Sequence, residues 1–413
     1  MFKFIHIADV HLDTHFYSRD PELRNKLRDS LREAFNRVID TCIDEKVQGL
    51  LIAGDLFDND KLSFQTEVFL INAFTRLKEN NIKVYYATGN HDPGDKNYRA
   101  NLINWPDNVH LFNDDSVQEL EVKHNHQIVA KIVSVGHKSK KEARNLIKDL
   151  PAKNTEIPVV GLAHAMVTTA SGVDGHDSYL PCTAEDLISK HYNYWALGHI
   201  HQAQQVANES IYYCGNLQGR NPKETGEKGG YIVTIDDYGN VEVKFRRFSN
   251  IQWNTLEISE MESIKNYQEL KDYIIVKIEA FLNSKEFDAN QLILRLQLEG
   301  RCFLKKSMEI DEDIKQLEED IKLHLNLLSL EIKANNLLPL VNSRECLEGN
   351  HVLSRTVDLI LNIKDNQELI DKLLEIKLCN KKLDGKNARL KYILELVEGL
   401  EEEALNRMVG EEK

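Results

Sequence analysis

Short apolar runs recur along the first 250 residues, separated by longer polar stretches with helical spacing. Strands are expected at 2–8, 48–54, 82–88 and 157–163, each a nearly unbroken apolar run. Helical spacing follows at 21–46, with Pro21 suited to a first turn, at 61–80, and briefly at 97–104. Further strands are predicted near 109–112, 117–123 and 127–136, then a basic helix over 138–149. A Gly/Ser/Thr-rich loop (168–181) precedes a helix at 183–191. Strands close the series at 194–198, 204–207, 210–214, 229–236 and 240–248, the last two joined by the turn-prone Asp237-Tyr238-Gly239-Asn240. Strand–helix alternation early and hairpins late predict a mixed α/β and α+β fold, a two-sheet core with helices outside.

The pattern changes after Trp253. Residues 260–283 read as a helix, and 290–299 alternate at period two, as a half-buried strand does. From about 350 the chain is helical and charged. Leu390, Ile393, Leu394, Val397, Leu400, Leu405 and Met408 fall at three- and four-residue steps, an amphipathic stripe over about 386–409. Three domains are therefore expected: 1–253, a small α+β cap at 254–340, and a helical segment at 341–413.

Composition narrows the class. A chain of 413 residues exceeds one compact core, and 42% hydrophobic with 29% charged residues fits a soluble globular protein. The net charge of −14 lacks the basic footprint of a nucleic-acid binder. Residues 251–413 hold 23 Lys and Arg against 32 Asp and Glu, so −9 lies there and −5 in 1–250. Two divalent cations at one site would add +4 locally. The six cysteines are scattered with no Cys-x-x-Cys, which favours a reducing cytoplasm over a disulfide framework or zinc knuckle. No secretory signal is expected, because the first strand starts at Phe2 and leads to a candidate ligand at Asp9. The chain has no uncharged apolar run of about 18 residues, so no membrane span is expected.

Six of the apolar runs end in residues that bind metals or handle phosphate. They lead into Asp9 and His11, Asp55, Asn90 and His91, His164, His199 and His201, and Asn216. Open α/β layers place ligands beyond their strand ends. Leaving Asn216 aside, two carboxylates, one amide oxygen and five imidazoles would meet at one rim, enough for two borderline transition metals. Each signal alone has a plainer reading. Asp-x-His is a common surface or cap pair, although i and i+2 on a strand point the same way. Asp55, after Gly54, also suits a helix N-cap. Gly89-Asn90-His91-Asp92 also suits a turn. A lone histidine after an apolar run, such as His164, is more often a core residue. Gly198-His199-Ile200-His201 could belong to a surface strand.

The ordered combination is more specific. Asp9-x-His11, then Gly54-Asp55-x-x-Asp58, Gly89-Asn90-His91-Asp92, His164 and Gly198-His199-x-His201 resemble the calcineurin-like metallophosphoesterase superfamily over about 1–220. Leu12-Asp13 and Leu56-Phe57-Asp58 are similar to its DNA-repair nuclease branch, typified by SbcD- and YhaO-like proteins. Serine/threonine phosphatases carry Gly after the first His and Arg-Gly after the second motif, and this chain has neither. The resemblance implies a two-sheet metallophosphoesterase fold. It implies one metal at Asp9, His11 and His201 and a second at Asn90, His164 and His199, with Asp55 bridging them. His91 would protonate the leaving oxygen as general acid while hydroxide from a water between the metals attacks phosphorus. Manganese is the implied metal.

The function expected from this resemblance is a metal-dependent DNA exonuclease of 3′-to-5′ polarity. Its implied partners are DNA, a second copy of the chain, and an SMC-like coiled-coil ATPase of the SbcC type engaged through the C-terminal helices. A phosphodiesterase of cyclic or small nucleotides and a non-catalytic DNA-end scaffold are the alternatives. Secondary candidates are Asp13, Asp58 and Asp92 as partners that orient ligating histidines. Arg220, in the loop after Asn216, could meet a phosphate. Lys138, Lys140, Lys141, Arg144 and Lys148 could track a DNA backbone, and His176 could contact substrate. Each of these also has a reading as a cap or a solvated surface residue.

Overall fold

The computed structural model describes residues 1–16, 20–57, 62–95, 102–168, 170, 179–285, 288–340, 352–363, 366–375, 386–397, 400–401 and 404. The chain divides into two compact units, one of Met1–Asn254 with Gln291–Ile293, the other of Thr255–Asn290 with Leu294–Lys413.

The first unit holds two six-stranded sheets. One contains β1 (Phe2–Ile7), β2 (Gly49–Ala53), β3 (Lys83–Ala87), β4 (Val109–Phe112), β13 (Gly229–Ile235) and β14 (Val241–Arg247), in the order β14-β13-β1-β2-β3-β4. The other contains β5 (Gln118–His124), β6 (Gln127–Ser134), β7 (Val159–His164), β10 (Tyr194–Gly198), β11 (Gln204–Gln205) and β12 (Ile211–Tyr213), in the order β11-β12-β10-β7-β6-β5. A short pair, β8 (Met166–Val167) with β9 (Pro181–Cys182), stands apart.

Strands β1 to β4 run parallel, so each link must cross back along the sheet. Helices α1 (Pro21–Asp44) and α2 (Phe64–Glu79) make the first two crossings. The α1 start is fixed by Asp20, whose carboxylate accepts from the Glu22 amide at 2.8 Å, and by Pro21. Leu27, Leu31, Phe35, Val38 and Cys42 follow at helical spacing and are buried. Between the two sheets lie Phe4, Leu51, Tyr85 and Phe112 from one and Ile132, Val160, Leu162 and Tyr194 from the other. Each such side chain contributes roughly 1.5–3 kcal/mol on burial. A second core, on the other face of the β7–β10 sheet, gathers Trp195, Leu197, Tyr213, Leu187 and Ile147.

Register brings the strand ends level. Ile7 pairs with Ile52, Ala53 with Ala87, and Gly198 with His164. The His164 ring reaches the Ala53 carbonyl, so the two sheets end at one rim.

Two predicted helices differ. Residues 138–145 form no helix, and only a 3-10 turn follows at Leu146–Asp149. Arg144 is drawn onto Glu142 at 2.6 Å and onto Asp115 at 2.8 Å, while the Glu142 carbonyl accepts from the Leu180 amide. Tertiary partners outcompete the local helix. The predicted helix at 183–191 contracts to α3 (Ala184–Ile188), started by a capping box between Thr183 and Asp186. The predicted helix at 97–104 lies mostly outside the described residues, and 103–106 are not helical.

The second unit holds most of a three-stranded sheet, β15 (Gln252–Ile258), β16 (Leu292–Arg301) and β17 (Ser329–Leu338), in that order. Helices α4 (Tyr267–Lys285) and α5 (Asp311–Leu325) alternate with these strands, and α6 (Val352–Leu361), α7 (Gln367–Leu374) and α8 (Lys386–Val397) follow. The α8 helix packs on α7 and buries Ile393 and Val397, while Tyr392 and Leu396 stay exposed. Leu405 and Met408 of the predicted stripe lie outside the described residues. Among the described residues, no helix is long and apolar enough to cross a membrane.

Candidate metal centre

The rim is built by backbone before side chains. Beyond β1 and β2 the chain continues as two paired loops, with amide-to-carbonyl bonds Asp9 to Gly54 (3.1 Å), His11 to Asp55 (2.9 Å) and Leu12 to Leu56 (3.0 Å). Asp9, His11 and Asp55 take φ of 50°, 51° and 53°, and His199 takes 105°. Non-glycine residues in this region cost about 1–3 kcal/mol each and persist only where their surroundings hold them. The i, i+2 argument from strand geometry is corrected accordingly. β1 ends at Ile7, and Asp9 and His11 converge through two left-handed turns rather than strand alternation.

The side chains then meet. Asp9 Oδ1 lies 3.7 Å from His201 Nε2 and 4.0 Å from His11 Nε2, and those two imidazole nitrogens are 3.4 Å apart. Asp55 Oδ2 lies 3.7 Å from His11 Nε2 and 3.4 Å from His164 Nε2. Three overlapping groups result: Asp9, His11 and His201; His11, Asp55 and His91; Asp9, Asp55 and His164. Within each, the ligand atoms lie within 4.8 Å of one another. His199 is in none of them. Its ring stands edge-on to His164 at 5.3 Å, and its amide donates to both oxygens of Asp9.

One contact tests whether cations suit this site. His164 Nδ1 donates to the Ala53 carbonyl at 2.9 Å, which leaves Nε2 with its lone pair. That lone pair faces the Asn90 amide oxygen at 2.9 Å and Asp55 at 3.4 Å. Three acceptors converge, which a cation among them relieves. Burial lowers the pKa of His164, so the ring itself does not supply the charge. Burial and then the Asp55 charge hold Asp9 above the usual carboxylate range. The donor set fits two divalent metal ions.

Two glycines make room for His164. A Cβ at Gly54, whose φ is +84°, would run into His164 Nδ1 and stand 2.6 Å from its Cγ; one at Gly198 would stand 2.8 Å from its Nδ1 and run into the Ala53 carbonyl.

Among the secondary candidates, Asp92 braces the rim without touching a histidine. Its carboxylate accepts from the amides of Asp55 (3.2 Å), Gly89 (2.6 Å) and Leu56 (2.6 Å) and from the Tyr86 hydroxyl. Burial and the Asp55 charge push it up to about 6. Asp13 accepts from Ser63 and Thr66 at the start of α2, the capping alternative rather than a bond to a ligating histidine. Asp58 and His176 lie outside the described residues. Lys138, Arg144 and Lys148 are exposed and paired with Asp115, with Asp115 and Glu142, and with Asp186; Lys140 and Lys141 are exposed too. Asn216 bonds to Gln218 and Glu224 as a loop residue beside the site. Arg220 Nη2 comes within 3.3 Å of His201 Nδ1.

Sequence reasoning missed two residues. His137 is buried and donates Nε2–H to the His164 carbonyl at 2.7 Å. Glu224 Oε1 accepts from His201 Nδ1 at 2.9 Å, and its other oxygen takes the Arg220 amide and Asn216 Nδ2. Burial opposes the charge on Glu224, yet the His201 bond and the Arg220 charge hold it well below the usual carboxylate range. In sequence it is one more acid in a polar loop.

With this geometry in place, residues 2–203 match the model of the calcineurin-like phosphoesterase family. They form a calcineurin-like phosphoesterase domain. An uncharacterized metallophosphoesterase, YhaO of Bacillus subtilis, is 36% identical over 269 residues, covering 63% of this chain and 64% of its own length. The match thus spans a little under two thirds of that relative. The DNA double-strand break repair protein Mre11 of Methanocaldococcus jannaschii is 25% identical over 398 residues, covering 91% of this chain and 99% of its own. Among solved structures, a dimetal phosphatase from Danio rerio covers 60% of this chain and 96% of its own at 15% identity, with a TM-score of 0.38.

The phosphoesterase rim gives a direct test. Gly198→Ala should fold, by circular dichroism, yet bind metal about tenfold or more weakly, because the added methyl pushes on the Ala53 carbonyl and on the His164 ring bonded to it. Metal titration of the purified variant measures this. Wild-type affinity would mean that His164 is not held as described.

Proposed function

We propose that the phosphoesterase domain hydrolyses phosphodiester bonds of DNA as a metal-dependent, end-processing 3′-to-5′ exonuclease. The single observation that carries the chemistry is the convergence of acceptors at His164, Asn90 and Asp55. The choice of DNA is supported by the Mre11 relatives, which are named as DNA double-strand break repair proteins.

In this reading Asp9, His11 and His201 would hold one metal and Asn90, His164 and His199 the other, with the Asp55 carboxylate available to both. When bound, two divalent cations, manganese in our proposal, would supply positive charge to bind a phosphodiester and to lower the pKa of a water. The protein does the rest. Burial lowers the pKa of both His164 and His201, which favours the neutral rings that ligation needs. Asp92 fixes the Asp55 and Gly89 amides, which aligns the two loops that carry Asp55 and Asn90. His91 is more exposed than its neighbours and has its amide anchored on Asp55 at 2.8 Å. In this role its ring, edge-on to His11, holds a proton for the departing oxygen.

Partners follow the same reading. The exposed Tyr392 and Leu396 of α8 offer an apolar strip to an SMC-like coiled-coil ATPase. Phe64 and Val68, one turn apart on α2 and both exposed, favour a second copy of the chain. Cys42, Cys182, Cys214 and Cys302 are buried free thiols, which accords with a cytoplasmic setting.

His91→Ala should retain wild-type metal content by mass spectrometry while losing about 10²- to 10⁴-fold of manganese-dependent cleavage of long duplex DNA. Loss of metal would remove its assigned role. Wild-type cleavage of bis-p-nitrophenyl phosphate or cyclic nucleotides, with none of DNA, would replace the substrate. On size-exclusion chromatography with light scattering, the chain should run at twice its mass and co-elute with the ATPase, and Leu396→Glu should abolish the co-elution. Unchanged co-elution would exclude α8 as the contact.

A further inference from the structure

Two groups compete for one atom of His201. Glu224 Oε1 stands 2.9 Å from Nδ1, and Arg220 Nη2 stands 3.3 Å from it. A carboxylate only accepts, so its bond requires a proton on Nδ1; a guanidinium only donates, so its contact requires the lone pair there. A neutral imidazole carries one proton, so the choice at Nδ1 also sets Nε2. With Nδ1 protonated, Nε2 turns a lone pair toward Asp9 Oδ1 at 3.7 Å and His11 Nε2 at 3.4 Å. With Nδ1 accepting, an N–H points there instead and cannot ligate.

The shorter contact goes to the charged acceptor, and such bonds are the stronger ones. Glu224 is also held in place to make it. Asn221 Nδ2 donates to Oε1 at 3.1 Å, while Asn216 Nδ2 (2.7 Å) and the Arg220 amide (2.8 Å) donate to Oε2. Lys228 Nζ, itself buried, fixes the His201 carbonyl at 2.9 Å, so backbone and ring are both restrained.

We propose that Glu224 is a positioning residue that holds His201 as the Nδ1–H tautomer against the competing donor Arg220, and so keeps one metal position able to bind. The proposal rests on the metal reading of the rim and is independent of the substrate.

Glutamine is the informative replacement. Every neighbour of Glu224 named here donates, and a glutamine has one accepting end. With that oxygen on Asn216 and the Arg220 amide, its NH₂ faces His201 Nδ1 and demands the lone pair. E224Q should therefore move the proton to Nε2, whereas simple loosening of the loop would not fix the opposite tautomer.

The test reads histidine ¹⁵N shifts in the metal-free full chain by long-range heteronuclear correlation, alongside calorimetric titration with manganese. Wild type should show His201 protonated on Nδ1. E224Q should show it protonated on Nε2, with one of two manganese sites weakened about 10- to 100-fold and the other retained. R220M, which removes the rival and keeps Glu224, should keep the wild-type tautomer and affinity. The double variant E224A/R220M should bind manganese more tightly than E224A, because no donor then opposes Nδ1–H. An Nε2-protonated His201 in wild type, or unchanged tautomer and affinity in E224Q, would overturn the proposal; so would an E224A/R220M no better than E224A. Wild-type protein that binds no manganese would count against the metal reading instead, while the tautomer still decides the role of Glu224.

Discussion

Asp9 and Asp55 are buried carboxylates at one rim, surrounded by imidazole nitrogens and an amide oxygen. Removing such charges from water is costly unless a cation or hydrogen-bond donors compensate. Here some compensation is built in: the His199 amide serves Asp9 and the His91 amide serves Asp55. The remaining lone pairs point at each other across 3–4 Å. Much of the first unit works to hold that arrangement. The strands end level, the loops beyond β1 and β2 are paired, and Asp92 ties the β2 loop to the β3 loop.

The cost of the rim is met by the layers beneath it. Four site residues sit in left-handed backbone, each destabilising by about 1–3 kcal/mol. Two cores of close-packed side chains flank the β7–β10 sheet, and the neighbouring residues Trp195 and Ala196 point into opposite ones. A rim with local strain and like charges is tolerable because it extends from the ends of buried strands rather than from a mobile surface loop. That also explains why small residues matter there. The space Gly54 and Gly198 leave is the space His164 fills.

The parts legible in the sequence are those whose cause is local. Asp9, Asp55, Asn90, His164 and His199 each follow an apolar run within a few residues, so their arrival at a strand end could be read directly. Their convergence could be inferred only from order and resemblance, and strand alternation was the wrong local reason for Asp9 and His11. What depended on distant partners was not legible. Residues 138–149 have helical charge spacing, but Arg144 is bound to Asp115, 29 residues away. Asp92 looked like a partner for histidine because it follows one, yet its carboxylate turns to the amides of Asp55 and Leu56 across the rim. Glu224 lies 23 residues beyond the ring it supports, in a loop with ordinary surface composition.

In the proposed centre, residues from both sheets would hold two metal ions, with Asp55 available to both. Anomalous diffraction from crystals of the full chain grown with manganese tests it most directly. Two peaks per chain are expected, one beside Asp9, His11 and His201 and one beside Asn90, His164 and His199, with Asp55 touching both. A single peak, or peaks away from Asp55, would contradict the account.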